Sequence, residues 1–140
     1  MRFGALTVVL CICAAQVMPA AQTSTAKTAI AATSPASGRE MFVSYCASCH
    51  GKDGKGDGPA AGALKTPPAN LTTLSSENGG TFPELRVLSS IRGDENVAAH
   101  GSAEMPVWGR VFRGLSHGDE AKVRMRLANL VAYIRSIQAK

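Results

Sequence analysis

Aromatic residues are scarce in this 140-residue chain: one Trp, two Tyr and four Phe, 5% of the total. Charged residues make up only 18%, against 45% hydrophobic, and mean hydropathy is near zero. Such a length excludes two full domains, and so thin an aromatic supply leaves a small core with room for a large non-protein filler. No run of residues alternates with period two, so a β-sheet is not expected. The phosphate-loop pattern G-x-x-x-x-G-K-[ST] is missing from the glycine-rich stretch, and no strand precedes that stretch. Nor is there a basic stripe interleaved with aromatics. The fifteen Lys and Arg against ten Asp and Glu, a formal +5, therefore point away from nucleic acid and toward an acidic protein surface.

What is present begins with targeting. Arg2 precedes an apolar run from Phe3 to Ala15 and small residues around Ala20 and Ala21, the layout of a secretory signal peptide over residues 1–21. The rival is an uncleaved anchor, because the apolar stretch approaches the ~20 residues that cross a bilayer, although Gln16 and Pro19 interrupt it. Contact with a membrane is expected only if that segment is retained. A lipid-modified cysteine fits poorly, since bulky Leu10 and Ile12 precede Cys11 and Cys13. Residues 22–36 are rich in Ala, Thr and Ser, lack an apolar period, and predict a flexible spacer. The folded domain is then expected over 37–140, in a periplasmic or otherwise exported location.

Cys11 and Cys13 leave with the signal, and two cysteines remain. They stand in Cys46-Ala47-Ser48-Cys49-His50, and C-x-x-C-H is the covalent attachment pattern of c-type haem. Two thiols about one helical turn apart can each add to one vinyl group of a porphyrin, and the His that follows then lies under the iron. A thioredoxin-like pair would follow a strand, a zinc site would need two more ligands nearby, and a plain disulfide would leave the His accidental. Covalent haem, one per chain, is the stronger expectation.

Ser37 and Glu40 form a capping-box pattern at the start of a helix carrying Phe42, Tyr45 and Cys46 on one face. Gly51, Gly54, Gly56 and Gly58 then interrupt helix and predict a tight loop hugging a cofactor. Thr66-Pro67-Pro68-Ala69-Asn70-Leu71 reads as a rigid extended turn. A second capping box, Thr81 to Glu84, is expected to open a short helix with Leu85, Leu88 and Ile91 inward, ending at Gly93. Ser116 to Asp119 opens the last helix, whose stripe Val123, Leu127, Leu130, Val131, Ile134 and Ile137 is the most regular in the chain. Between these two helices, Met105-Pro106-Val107-Trp108-Gly109 reads as a non-helical stretch. Its thioether is the expected sixth iron ligand, with Trp108 covering the flat ligand and His100 and His117 as rival ligands.

CASCHG followed by KDGKGDGPAA, then PPANL, EMPVWG and LANLVAYIRSIQ, resembles the small monohaem class I cytochromes c of bacteria. The resemblance covers Gly38 to Gln138. It implies an all-α class I cytochrome c fold of three to five helices around one haem, with Cys46 and Cys49 as thioether anchors and His50 and Met105 as axial ligands. It further implies that Gly38 meets Tyr133 where the terminal helices cross, and that a proline carbonyl, Pro68, accepts the hydrogen bond of the His50 ring. The implied activity is one-electron transfer by a monomeric carrier rather than an enzyme. A haem c electron-input subunit docked to a dehydrogenase or oxidase, and a haem sensor or enzyme with a displaceable sixth ligand, are the alternatives. Lys52, Lys55, Lys65, Arg110 and Arg113 flank the two ligand segments and are expected to form a basic rim for redox partners with an acidic docking surface.

Overall fold

A computed structural model describes residues 30–94 and 105–139. The expected signal segment, most of the expected spacer and His100 lie outside these residues. The chain divides into two units, Met1–Ile30 and Ala31–Lys140, and the second holds all but one of the described residues.

Ser37 caps α1 (Gly38–Met41): its hydroxyl accepts the Glu40 amide at 3.1 Å, satisfying one of the helix's unpaired donors. The helix continues without a break through one π-helical turn, Phe42–Cys46, into α2 (Ala47–His50). Phe42, Tyr45 and Cys46 are all buried, as their spacing predicts. A 3-10 turn, Ala61–Ala63, and the one-turn α3 (Leu74–Glu77) lie in the long connection that follows. Then come α4 (Glu84–Arg92), α5 (Trp108–Leu115) and α6 (Glu120–Ser136). Counting Gly38 to His50 as one rod, five α-helices occur among the described residues, with no strand.

Helix α6 is the spine, since α1, α4 and α5 all pack on it. Its stripe Val123, Leu127, Leu130, Val131 and Ile134 is buried, with Ile137 half-buried at the C-cap. Asp119 is the N-cap, its carboxylate accepting the amides of Ala121 and Lys122 at 3.0 and 3.1 Å. The few aromatics are concentrated. Tyr45 stacks on Trp108 with centroids 5.4 Å apart, Phe112 touches both rings, and Phe42 meets Tyr133 at 5.2 Å. Such pairs contribute beyond the area they bury, which offsets their small number.

Three expectations are corrected. Helix α4 has Pro83 as its N-cap with no side-chain cap, so the Thr81–Glu84 capping box does not form. Ile91 is buried and Leu88 half-buried against the core, as expected, but Val87 is the second buried residue and Leu85 is 81% exposed. Residues four apart on a helix differ by only about 40° in direction, while Leu85 and Ile91, six apart, differ by about 120°. Trp108 and Gly109 are helical, opening α5 without any capping side chain; buried Trp108 and Phe112 hold that short helix by packing instead. The compact unit that begins at Ala31 includes residues just ahead of Ser37. Thr33 is buried against Tyr45 and Arg126, and Asn129 donates to the Pro35 carbonyl at 2.9 Å. Contacts from residues far along the chain order a segment whose own composition carries no periodic signal.

Candidate functional site

The last carbonyls of α2 have no partner within the helix, and the glycine loop satisfies them. Gly56 donates to the His50 carbonyl at 2.8 Å, Gly58 to Cys49 at 3.0 Å, and Ala60 to Ser48 at 2.8 Å. The same loop takes hold of the proline segment, because Leu71 donates to the Gly54 carbonyl at 2.7 Å. Gly56 has φ +83, and a Cβ there would lie 2.4 Å from the Pro68 carbonyl oxygen. Only glycine allows that turn and that approach together.

The loop thus lays residues 67–71 beside His50. The His50 Nδ1 is 3.0 Å from the carbonyl oxygen of Ala69, not of Pro68. In an extended segment successive carbonyls point to opposite sides. Here Pro68 turns its oxygen toward Gly56, and the next carbonyl faces the imidazole, so the expected acceptor is displaced by one residue. Burial pulls the His50 ring below its ordinary 6.5, with the Ala69 carbonyl opposing that shift. The ring is therefore neutral at pH 7, its proton on Nδ1 donated to Ala69, which leaves the Nε2 lone pair available to a metal.

Cys46 and Cys49 carry free thiols. Burial, and secondly the neighbouring Cys49, push the Cys46 thiol up to about 12. Redox-active C-x-x-C pairs have a lowered thiol value, so this environment disfavours the thioredoxin-like alternative. A zinc site needs further ligands close by; among the described residues no three His, Cys, Asp or Glu side chains gather as metal ligands.

All six residues expected at the cofactor, Cys46, Cys49, His50, Pro68, Met105 and Trp108, line one cavity of about 290 Å³. Its walls are otherwise largely apolar, with Leu64, Pro67, Leu71, Val87 and Ile91 among them. Met105 is 38% exposed, while Trp108 is buried and backed by Tyr45, which also lines the cavity. His117 does not line it; that residue is exposed, in a left-handed turn at φ 51. Two thiols, an imidazole with a free lone pair, a thioether and an aromatic wall fit a flat apolar group with a central metal, as in haem c.

A scan of known families matches residues 33–134 to the cytochrome c oxidase, cbb3-type, subunit III family. The chain belongs to this family. It is a cytochrome c domain, and its all-α architecture is the one that domain adopts. Cytochrome c domains carry haem c and transfer electrons. No curated protein and no solved structure matches the chain. None of the described helices is long and apolar enough to cross a membrane.

Sequence reading of the cytochrome c domain missed Arg86. It lines the cavity one position before Val87, and its guanidinium donates to the Asn78 side chain at 2.9 Å. Arg86 is exposed and lies about 100° around α4 from Val87, so helix periodicity alone does not place it at the cavity. One of the residues expected to form a basic rim is paired. Lys52, Lys55, Lys65, Arg110 and Arg113 are exposed, but Arg113 is bonded to Glu120 at 2.7 Å, which compensates its charge.

Proposed function

We propose that this chain is an exported one-electron carrier holding one haem c, attached through Cys46 and Cys49 and ligated by His50 and Met105. The observation that carries the reading is that both thiols, the His50 ring and the Met105 thioether line one and the same cavity. When bound, the haem supplies an iron that alternates between ferrous and ferric. Everything else belongs to the protein. The Ala69 carbonyl fixes the His50 tautomer, and hence presents a neutral donor. Met105 would offer a soft thioether donor that favours the ferrous ion, and together with His50 it would leave the metal closed to substrates. Trp108, Val87 and Ile91 give the cavity apolar walls, which would oppose the extra charge of the ferric state and make the potential fairly positive. A carrier of this kind works by outer-sphere transfer and needs no catalytic residue.

The family description favours a second reading, an electron-input subunit docked in an oxidase complex. Its site chemistry is the same. A visible spectrum of the oxidised and reduced protein, with and without carbon monoxide, tests the shared part: low-spin bands unaffected by carbon monoxide are expected, and a high-spin, carbon-monoxide-binding spectrum would overturn it in favour of a sensor or enzyme. Gel filtration at high salt separates the two readings, since a free carrier elutes as a monomer and a docked subunit with its complex.

A further inference from the structure

Arg126, on α6, is 4% exposed. Its Nε donates to the Ser116 hydroxyl at 3.3 Å, and one terminal nitrogen to the Thr33 hydroxyl at 3.2 Å, with the Met41 sulfur 3.8 Å away. Among the described residues its partners are two hydroxyls and a thioether, and no carboxylate bonds to it. A guanidinium stays charged at any ordinary pH, so this is a positive charge in the core without a matching negative one. Such burial is costly unless something offsets it.

The contacts run from Arg126 to the cavity. Tyr45 lines the cavity, and its hydroxyl donates to the Ala31 carbonyl at 2.7 Å. That leaves the Tyr45 oxygen to accept, from the Thr33 amide at 3.1 Å and from the Thr33 hydroxyl at 2.9 Å. With its proton given to Tyr45, the Thr33 hydroxyl accepts from Arg126. Donors thus point one way along the series Arg126, Thr33, Tyr45, Ala31, and each of the two hydroxyls both accepts and donates. We propose that Arg126, through Thr33 and Tyr45, is a positioning residue that sets the reduction potential of the redox group in the cavity, holding the electron by opposing a more positive metal. This rests on the reading of the cavity as a haem site. At an effective dielectric near 20, a unit charge changes a one-electron equilibrium about tenfold even at a separation on the order of 12 Å.

The experiment is a spectroelectrochemical titration of the holoprotein and three variants. Arg126→Met removes the charge and keeps the length, Arg126→Lys keeps a charge, and Thr33→Asp leaves Arg126 in place but sets a carboxylate beside it. Arg126→Met and Thr33→Asp should each raise the oxidised-to-reduced ratio at fixed potential about tenfold, a downward shift of 59 mV for one electron. Arg126→Lys should stay close to the parent protein. The shift should persist in 1 M salt, which screens surface charges and not buried ones. Unchanged potentials in Arg126→Met and Thr33→Asp, with a lowered thermal midpoint, would make Arg126 a mere anchor for Thr33 and overturn the proposal. Should Arg126→Met fail to fold, Thr33→Asp decides alone. A parent protein without a low-spin haem spectrum would instead count against the proposed function.

Discussion

Gly38 lies so close to Asn129 that a Cβ on it would fall 2.1 Å from the Asn129 carbonyl oxygen, and 2.9 Å from the Tyr133 Cβ. The resemblance implied a meeting of Gly38 with Tyr133; the tightest approach is to the backbone one turn earlier, with Phe42 and Tyr133 in contact beside it. Backbone cannot rotate away as a side chain can. Gly38→Val should therefore push α1 from α6 and destabilise the fold by about 1–3 kcal/mol through overpacking. Denaturant or thermal unfolding of the holoprotein measures this, and an unchanged midpoint would mean that the crossing tolerates a side chain.

Removing the cofactor's anchors should remove most of the protein. Cys46→Ala and Cys49→Ala should each yield little holoprotein, because the cavity behind an aromatic-poor core is left without its filler. In the parent protein, acid-acetone should leave the colour on the chain, and the mass should exceed that of the polypeptide by one haem. Colour passing entirely into the solvent would sink covalent attachment.

Met105→Ala should lose the weak far-red band of methionine-to-ferric-iron charge transfer, become high-spin, bind carbon monoxide and drop in potential. His117→Ala should do none of these, since His117 is exposed and outside the cavity lining. The reverse pattern would make the ligation bis-histidine.

Acid should weaken the start of α6. The Lys122 amide, then its ammonium and the Ala121 amide, hold the Asp119 carboxyl below its ordinary 3.8. A carboxylate with a lowered folded value stabilises the fold fully above its unfolded value, and that contribution is lost as pH falls from about 3.8 through the folded one. Asp119→Ala should lower the melting temperature at pH 7, and the difference from the parent should shrink to nothing in that acid window. A difference that stays constant into acid would assign the effect to something other than the carboxylate cap.

Electron exchange with an anionic partner should slow as salt rises, because the Debye length contracts from about 30 Å at 0.01 M to about 10 Å at 0.1 M. Lys52→Glu with Lys55→Glu should reduce the association rate and leave the haem spectrum untouched. Arg113→Gln should matter less, its charge being matched by Glu120. Stopped-flow rates at several salt concentrations check all three, and rates indifferent to salt would remove steering.

Much of the site was legible because its chemistry is local. Cys46, Cys49 and His50 lie within five residues, so their grouping depends on a single turn of helix. Ser37 capping the Glu40 amide and the buried α6 stripe follow from spacing in the same way. The offset from Pro68 to Ala69 was not legible, since it depends on which side of an extended segment faces the helix. Neither was α5, which has no capping residue and owes its helix to Trp108 and Phe112 packing on other elements.

The division follows the range of the forces. Attachment pattern, helix periodicity and the glycine loop are written in neighbouring residues, and they already specified an all-α domain around a haem-sized group. Tertiary packing alone chose Val87 over Leu85 as the inward face of α4, brought Arg86 to the cavity, and buried Arg126 beside Thr33, 93 positions away in the chain. A polar residue's own neighbours carry no signal that a distant helix will close over it; only the packed core decides which charges lose their water.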